Sequence, residues 1–344
     1  MKNILAILTI FILACVCQAI PNKNSDLEVL PTMSSQSDSA NRLWVGTFQL
    51  AWNDLTDGIV KKEINFNGGN PQAVIELNKR EFSANELSEN SYYKAYGATS
   101  PKLKKTIEKG IKKKFNEKSD ILNSVDWKTG KGKYTVYAML KKDFKFISPF
   151  DKLQIETFGK SKDKVQYFGI DRNSNSKLYK GVEILFYNSD NDFGAKLITK
   201  GNDIVYLYRT NEDKTFEEFY SDMMNKKDEY KLTSSFLKGD ELKVPDIKLY
   251  QEKSFNELCN KQILGTNIMI SQALETIDFK MNNEGVKLKS EAIISTMATS
   301  LGPNDYRIPR KLYFNDTFVL FLQENNKAKP YFALRVNDIS KIGK

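Results

Sequence analysis

The sequence predicts an α+β fold in which helices come first and antiparallel strands follow. Up to about residue 131, apolar residues recur every three or four positions, which is helical spacing. Beyond that point they alternate with polar residues or form short continuous runs, and several runs are separated by Asn-Asp and Gly-Asn turns. Because such turns join antiparallel neighbours, a wound parallel sheet with alternating helices is not expected.

Three helices are predicted in the first part of the chain. Apolar spacing predicts the first over Leu43–Val60 and the second over Pro71–Leu87, with Asn70 as its cap. The third covers Ser100–Phe115, and its apolar residues step by four along one face. Ser100 is suited to cap this helix, and the proline that follows is favoured in a first helical turn.

The later part of the chain predicts mostly strands. Tyr134–Leu140 is almost continuously apolar, as in a strand buried on both faces. The other predicted strands are Gly181–Tyr187, Phe193–Thr199, Ile204–Tyr208, Leu242–Tyr250, Val286–Ala292, Leu312–Leu322 and Pro330–Val336. Short helical patterns interrupt them at Thr215–Met224 and at Phe255–Ile263, where Cys259 is expected to be a buried apolar residue.

The chain is predicted to contain a signal peptide, a linker and one domain. Residues 1–19 combine a positive start, a short apolar centre and a small-residue exit, so secretion to the extracellular space is expected. Two alternatives stay open: a buried N-terminal helix, and a lipid anchor at Cys15 that would hold the protein at a membrane. Residues 20–41 are polar and predict a disordered linker, and residues 42–344 predict a single domain.

The composition argues against most enzymatic functions. The chain has no histidine, so Ser-His-Asp and Cys-His catalysis are excluded, and no pair of carboxylates with recognisable spacing takes its place. Only three cysteines are present, without the spacing of a zinc site. The sequence therefore predicts a protein that is not an enzyme and has neither a metal nor a cofactor. The alternative is an unrelated secreted enzyme that works without histidine, through carboxylates or through lysine with serine.

Positive charge suggests an anionic partner. Removal of residues 1–19 would take away Lys2 and leave 51 basic against 43 acidic residues, a formal charge of +8. The third predicted helix concentrates this charge, and an anionic glycan or surface could bind at Lys105, Lys109, Lys112, Lys113 and Lys114. The alternative is a solvated helix face without a ligand. Few aromatic residues are interleaved with these lysines, so nucleic acid is not an expected partner.

Four segments, taken in order, resemble the serpin superfamily. They are YTVYAMLKKDFKFISPFDKLQIETF, DIVYLYRTNEDKTFEEF, the region from LKVPDIKLY to the Glu284-Gly285 pair, and LYFNDTFVLFL with KPYFALRV. Phe144 stands where the family usually has tryptophan, and Thr317 where it usually has proline. The region before Ser100 matches poorly. The resemblance implies a serpin-like, N-terminally trimmed fold with a large antiparallel or mixed main sheet, smaller sheets and N-terminal helices.

The resemblance also implies a function, inhibition of a serine or cysteine protease through an exposed reactive loop. Glu284 and Gly285 would form the hinge, and counting about sixteen positions onward places the candidate scissile bond at Ser300-Leu301. Arg307 and Arg310 are later alternatives for a trypsin-like protease. Alternation places Val286, Leu288, Ser290 and Ala292 inward and Lys287, Lys289 and Glu291 outward. The second interpretation is a non-inhibitory binding or structural protein in which the hinge segment is a fixed strand.

Overall fold

The computed structural model describes residues 26–159, 164–288 and 309–342, and it confirms the α+β class. The helices are α1 Thr47–Asp54, α2 Gln72–Asn78, α3 Pro101–Phe115 and α4 Phe216–Glu229. The strands are β1 Leu27–Val29, β2 Asn41–Val45, β3 Tyr92–Ala98, β4 Tyr134–Leu140, β5 Lys142–Lys145, β6 Asp151–Thr157, β7 Lys164–Ile170, β8 Val182–Ser189, β9 Asp192–Ile198, β10 Asp203–Arg209, β11 Glu241–Pro245, β12 Ile247–Ser254, β13 Leu274–Asn282, β14 Gly285–Leu288, β15 Lys311–Tyr313, β16 Phe318–Glu324 and β17 Phe332–Val336.

The largest sheet has seven strands in the order β1-β2-β17-β16-β10-β9-β8. All of its neighbouring strands are antiparallel except β1 and β2, which run parallel. Every residue of β2, β16 and β17 is buried, because other layers cover both faces of the sheet there. The continuous apolar runs near the C-terminus therefore form the centre of the scaffold.

A second, antiparallel sheet has the order β12-β13-β14-β5 and packs on the first. Phe279 of β13 stacks on Phe332 of β17 with ring centroids 4.6 Å apart. Only Lys141 separates β5 from β4, which pairs with β3 in a two-stranded sheet. A further four-stranded sheet has the order β15-β11-β7-β6. A large sheet, smaller sheets and few helices match the predicted architecture.

Helix α3 begins and ends as its sequence predicts. The Ser100 side chain accepts a hydrogen bond from the Leu103 amide at 3.2 Å, and Pro101 occupies the first turn. Ile107 and Ile111 are buried against β3 and β4. The helix thus covers the outer face of the β3–β4 pair and leaves its lysines in solvent.

Several predicted elements are wrong. Leu43–Val60 is not one helix, because its first residues pair with β17 as a strand before α1 begins. The Pro71–Leu87 helix ends at Asn78, and Asn70 accepts a hydrogen bond from Phe66 instead of capping it. Phe255–Ile263 contains only a single 3-10 turn, although Cys259 is buried as expected.

The predicted linker is also wrong over its described part, residues 26–41. Leu27 and Val29 are buried in β1, and the Ser35 hydroxyl donates to the Glu76 carboxylate at 2.5 Å. Two strand predictions need correction as well. Only two of the seven residues of β4, Tyr137 and Leu140, are buried, so this strand is not buried on both faces. Leu242–Tyr250 divides at Asp246 into strands of two different sheets.

Candidate functional site

The predicted hinge, Glu284-Gly285, lies at the tight turn between β13 and β14. The Glu284 amide donates to Oδ1 of Asn282 at 3.0 Å, which closes the turn locally. The Glu284 carbonyl accepts from the amide of Phe146 at 3.0 Å, while the Glu284 side chain is exposed. The turn is therefore tied to the segment that follows β5.

Gly285 allows β14 to approach β5 closely. A Cβ atom at this position would lie 2.1 Å from the carbonyl oxygen of Phe144 and 2.7 Å from the Cα of Lys145. Both contacts are with backbone atoms that cannot turn aside, so a larger residue would push the strands apart.

The hinge strand β14 is hydrogen-bonded along both of its edges. Val286 lies opposite Met281 of β13 and opposite Phe144 of β5, and Leu288 lies opposite Lys142 of β5. In this structure residues 286–288 therefore belong to a strand within a sheet, between two partner strands.

The predicted alternation holds as far as Leu288. Val286 is fully buried and Leu288 is 5% exposed, whereas Lys287 faces solvent with its Nζ 3.3 Å from Oδ2 of Asp143. The inward Ser290 and Ala292 and the outward Lys289 and Glu291 lie outside the described residues.

Beyond the hinge strand, part of one edge of β13 and one edge of β4 have no strand partner among the described residues, and we call these two unpaired edges the open line. Among the described residues, β14 pairs with only the last three residues of β13, Lys280–Asn282, and β4 pairs only with β3. Within residues 26–159, 164–288 and 309–342, no strand pairs with the remaining edge of β13 or with the second edge of β4.

A buried ionic cluster lies beside the hinge strand. The Lys142 Nζ is 2.8 Å from Oδ1 of Asp203 and 2.6 Å from Oε1 of Glu324. The Tyr331 hydroxyl donates to Asp203 at 2.9 Å, and the Ser91 hydroxyl donates to Glu324 at 3.0 Å. Lys142 belongs to β5, and both carboxylates belong to the seven-stranded sheet, so the cluster joins the two sheets.

The two carboxylates share one ammonium group unequally. Burial raises the pKa of Asp203, and the Lys142 charge and the Tyr331 hydroxyl oppose this shift without cancelling it. Burial also acts to raise the pKa of Glu324, but the Lys142 ammonium and hydrogen bonds from Lys142 and Ser88 outweigh it and lower the pKa. Sequence analysis missed this cluster because its residues belong to distant segments.

The predicted anion-binding lysines lie together on α3. Lys105, Lys109, Lys112 and Lys113 are exposed, and within the described residues the side chain of none of these four has a hydrogen bond or an ion pair. Lys114 differs, since its Nζ lies 5.3 Å from the centre of the Tyr92 ring. The helix thus presents uncompensated positive charge to solvent.

The candidate scissile residues Ser300 and Leu301 lie outside the described residues, as do Arg307 and Cys15. The alternative at Arg310 is wrong because its side chain is buried. Its guanidinium lies 2.8 Å from Oδ2 of Asp240 and donates to the carbonyls of Thr233 and Ser235 at 2.7 Å and 2.5 Å. A protease could not reach this side chain without unfolding the region around β11 and β15.

A polar cleft of about 830 Å³ lies where the hinge sheet meets the C-terminal end of α3. Six lysines and five acidic residues line it, together with Ser88, Asn90, Ser91, Asn116 and Asn202. In the part of the chain that the structure describes, no group of three or more cysteine, aspartate and glutamate side chains is arranged to hold a metal ion. Among the same residues, no helix has the length and apolar character needed to cross a membrane.

Comparison with known proteins finds likeness only at the level of structure. No family model and no curated protein matches the chain. Serpin48, described as a highly specific serpin of the insect Tenebrio molitor, matches with a TM-score of 0.48 and 13% identity over 87% of this chain and 92% of its own. Thyroxine-binding globulin in complex with thyroxine matches with a TM-score of 0.43 and 12% identity over 69% of this chain and 65% of its own, just under two thirds of that length.

Proposed function

We propose that this protein is a serpin-like binding protein whose hinge segment is a fixed strand and which does not trap proteases. The pairing of β14 on both edges carries this proposal. Leu288 is bulky and buried, Lys287 is paired with Asp143, and Gly285 is wedged against β5. Release of this segment would expose apolar surface and break hydrogen bonds on both sides, which opposes movement of the hinge.

A protease panel tests this proposal. We expect cleavage within residues 289–308 to produce two fragments without an SDS-resistant complex, and we expect the melting temperature of the cleaved protein to stay unchanged. A Ser300→Arg variant makes the test sharper, because it offers trypsin a site at the candidate bond. A stable covalent complex between this variant and trypsin would contradict the proposal.

Inhibition of a serine or cysteine protease is the second candidate function, and the open line between β13 and β4 favours it. An inserted strand would find unpaired edges on both sides there. This candidate predicts a covalent complex and a large rise in melting temperature after cleavage at Ser300-Leu301. Both candidates assign no catalytic activity to the chain itself.

We further propose that the α3 lysines give the protein affinity for anionic glycans. The variant Lys105→Gln/Lys109→Gln/Lys113→Gln is expected to elute from heparin at lower salt than the wild type, because exposed charges act through a screened Coulomb attraction. Lys177→Gln/Lys180→Gln/Lys238→Gln is a matched control, since all three lysines are exposed and lie outside this helix. Equal elution of the α3 variant and the wild type would exclude the helix as the site.

Secretion also belongs to the proposal. A mature chain that begins at Ile20 in the culture medium is the expected result, measured by mass spectrometry of the intact protein. The alternative, lipid attachment at Cys15, predicts an added acyl mass that a Cys15→Ser variant loses.

A further inference from the structure

Three lysines lie side by side on the outer face of the hinge sheet. The register places Lys248 of β12 directly opposite Lys280 of β13, and Lys280 directly opposite Lys287 of β14. All three side chains are exposed on the same face. Directly opposite residues have Cβ atoms about 4.5–5.5 Å apart, and like charges at this spacing repel each other. We call these three residues the lysine row.

Neighbouring acids compensate the lysine row only in part. Lys287 lies 3.3 Å from Asp143, which is the next residue across the sheet on β5. Within the described residues, Lys248 and Lys280 have neither an ion pair nor a side-chain hydrogen bond. Asp278 lies two positions from Lys280 on the same face, and the charge of Lys280 acts to lower the pKa of Asp246, but neither carboxylate forms an ion pair with the row. The row therefore keeps an excess of positive charge that costs stability.

The lysine row forms one wall of the polar cleft. Lys114 and Lys141 also line this cleft, with Asn90 and Asn116 beside them. Lys141 is neutralised by Glu117 at 2.9 Å, but Lys114 has no acidic partner among the described residues. Ammonium and amide groups thus face this space together with five carboxylates, and the lysines outnumber the acids by one, six to five. The cleft is large enough for a small ligand with several charges.

The row is complete only while the hinge strand is in the sheet. Lys248 and Lys280 belong to β12 and β13, which pair along eight residues, whereas Lys287 belongs to the four-residue β14. A ligand that contacts all three ammonium groups therefore binds the paired hinge more tightly than a displaced one. By linkage, such a ligand must stabilise the pairing of β14 by the same factor.

We propose that the lysine row is a binding site for a small polyanion with closely spaced phosphate or sulfate groups, and that this ligand holds the hinge strand in the sheet. Clustered oxyanions match the row because each ammonium group donates charge-assisted hydrogen bonds to them. Because the row crosses three adjacent strands, the backbones at Lys248 and Lys287 lie roughly 10 Å apart, a distance that a single monovalent anion does not span. The site rests on the proposed fixed hinge, and it is separate from Lys105, Lys109, Lys112 and Lys113 of α3, which do not line the cleft.

Isothermal titration calorimetry with inorganic tripolyphosphate and with sucrose octasulfate tests the site and separates the two oxyanion classes. We expect saturable binding of at least one probe. Each of the variants Lys248→Gln, Lys280→Gln and Lys287→Gln should weaken it by about fivefold, the upper range for an exposed ion pair. Asp143→Asn should strengthen it, since the competing carboxylate is lost. Lys109→Gln on α3 and Lys177→Gln are controls that should leave it unchanged.

Hydrogen exchange tests the coupling to the hinge. Saturation with the bound probe should slow exchange of the Val286 to Leu288 amides by about the factor that Lys287→Gln costs in affinity, about fivefold. The absence of binding to both probes, or equal binding by the three row variants and the wild type, would overturn the site. Binding that leaves hinge exchange unchanged would overturn the coupling. The protease panel is independent of these measurements, so a failure of the fixed-hinge proposal can be told apart from a failure of the site.

Discussion

The seven-stranded sheet and the hinge sheet use the same kind of strand for different purposes. In β16 every residue is buried, whereas in β13 inward apolar residues alternate with exposed Asp278 and Lys280. The central strands of the first sheet pack against other parts of the protein on both faces, whereas the second sheet has one face in solvent. From this difference we infer that the seven-stranded sheet is the scaffold, and that the solvent-exposed face of the hinge sheet is available to bind a ligand.

The largest expected effect lies where the two sheets are joined. Lys142→Met leaves the carboxylates of Asp203 and Glu324 buried without their ammonium partner, and we expect a loss of about 3–5 kcal/mol in the free energy of unfolding. Urea denaturation at neutral pH measures it. The double variant Lys142→Met/Glu324→Gln should recover part of the loss, because one buried charge is removed.

The matched control for this prediction is Lys196→Met. Lys196 pairs with Glu183 at 3.0 Å across β8 and β9, but both side chains are partly exposed, at 25% and 35%. This change should cost less than about 1 kcal/mol. If the two methionine variants lose equal stability, the cluster is not the junction that we describe.

The next largest effect concerns Glu275, an inward residue at the other end of β13. Its carboxylate is buried, and neither oxygen has a hydrogen-bond partner among the described residues. Burial raises its pKa from 4.5 to about 8, and the nearby backbone amide of Phe48 opposes part of this shift. Glu275 is thus the one inward residue of β13 that is charged rather than apolar.

This raised pKa makes stability depend on pH. Above pH 4.5 the unfolded chain releases a proton that the folded chain retains until about pH 8, so the contribution of Glu275 to stability falls across this window and is constant outside it. We expect Glu275→Gln to remove this dependence and to raise stability at pH 8 by on the order of 3 kcal/mol relative to the wild type. Denaturation from pH 5 to 8 measures the difference. Exposed Glu257→Gln is the control, and parallel wild-type and Glu275→Gln curves would contradict the prediction.

A third prediction tests how tightly the hinge strand is held. Gly285→Val places side-chain atoms against the backbone of β5, so we expect a loss of about 1–3 kcal/mol and faster hydrogen exchange at Val286. Gly201→Ala is a suitable control, because a Cβ atom there meets nothing within 4 Å. Unchanged exchange in Gly285→Val would mean that β14 does not depend on this close approach.

Local patterns predicted much of the fold. Ser100 and Pro101 set the start of α3, and apolar runs located most of the later strands within a few residues. The helix prediction over Leu43–Val60 failed because Trp44 pairs with Ala333, nearly the whole chain away, and that pairing outweighs the local helical spacing. The Ser-rich start of the domain was predicted to be disordered because its composition is polar. It is ordered because its polar residues bond to other segments, as Ser35 does to Glu76, and the local sequence does not show such partners.

The candidate site was only partly visible in the sequence for the same reason. The Glu-Gly turn and the alternation after it are local features, and they predicted the hinge strand correctly as far as Leu288. Lys142 and Glu324 are 182 positions apart, and the lysine row depends on the register of three strands. No spacing rule within one segment can reveal contacts that only the sheet creates.

The smallest expected effect has the opposite sign. Lys280 lies between Lys248 and Lys287, so Lys280→Gln removes two like-charge contacts, and we expect it to raise the free energy of unfolding by a few tenths up to about 1 kcal/mol at low salt. The gain should shrink at high salt, because screening already weakens the repulsion in the wild type. Lys177→Gln should show neither the gain nor its salt dependence. A loss of stability in Lys280→Gln would mean that neighbouring groups compensate the charge of the lysine row. The exposed face of the hinge sheet would then stabilise the fold, as the seven-stranded sheet does.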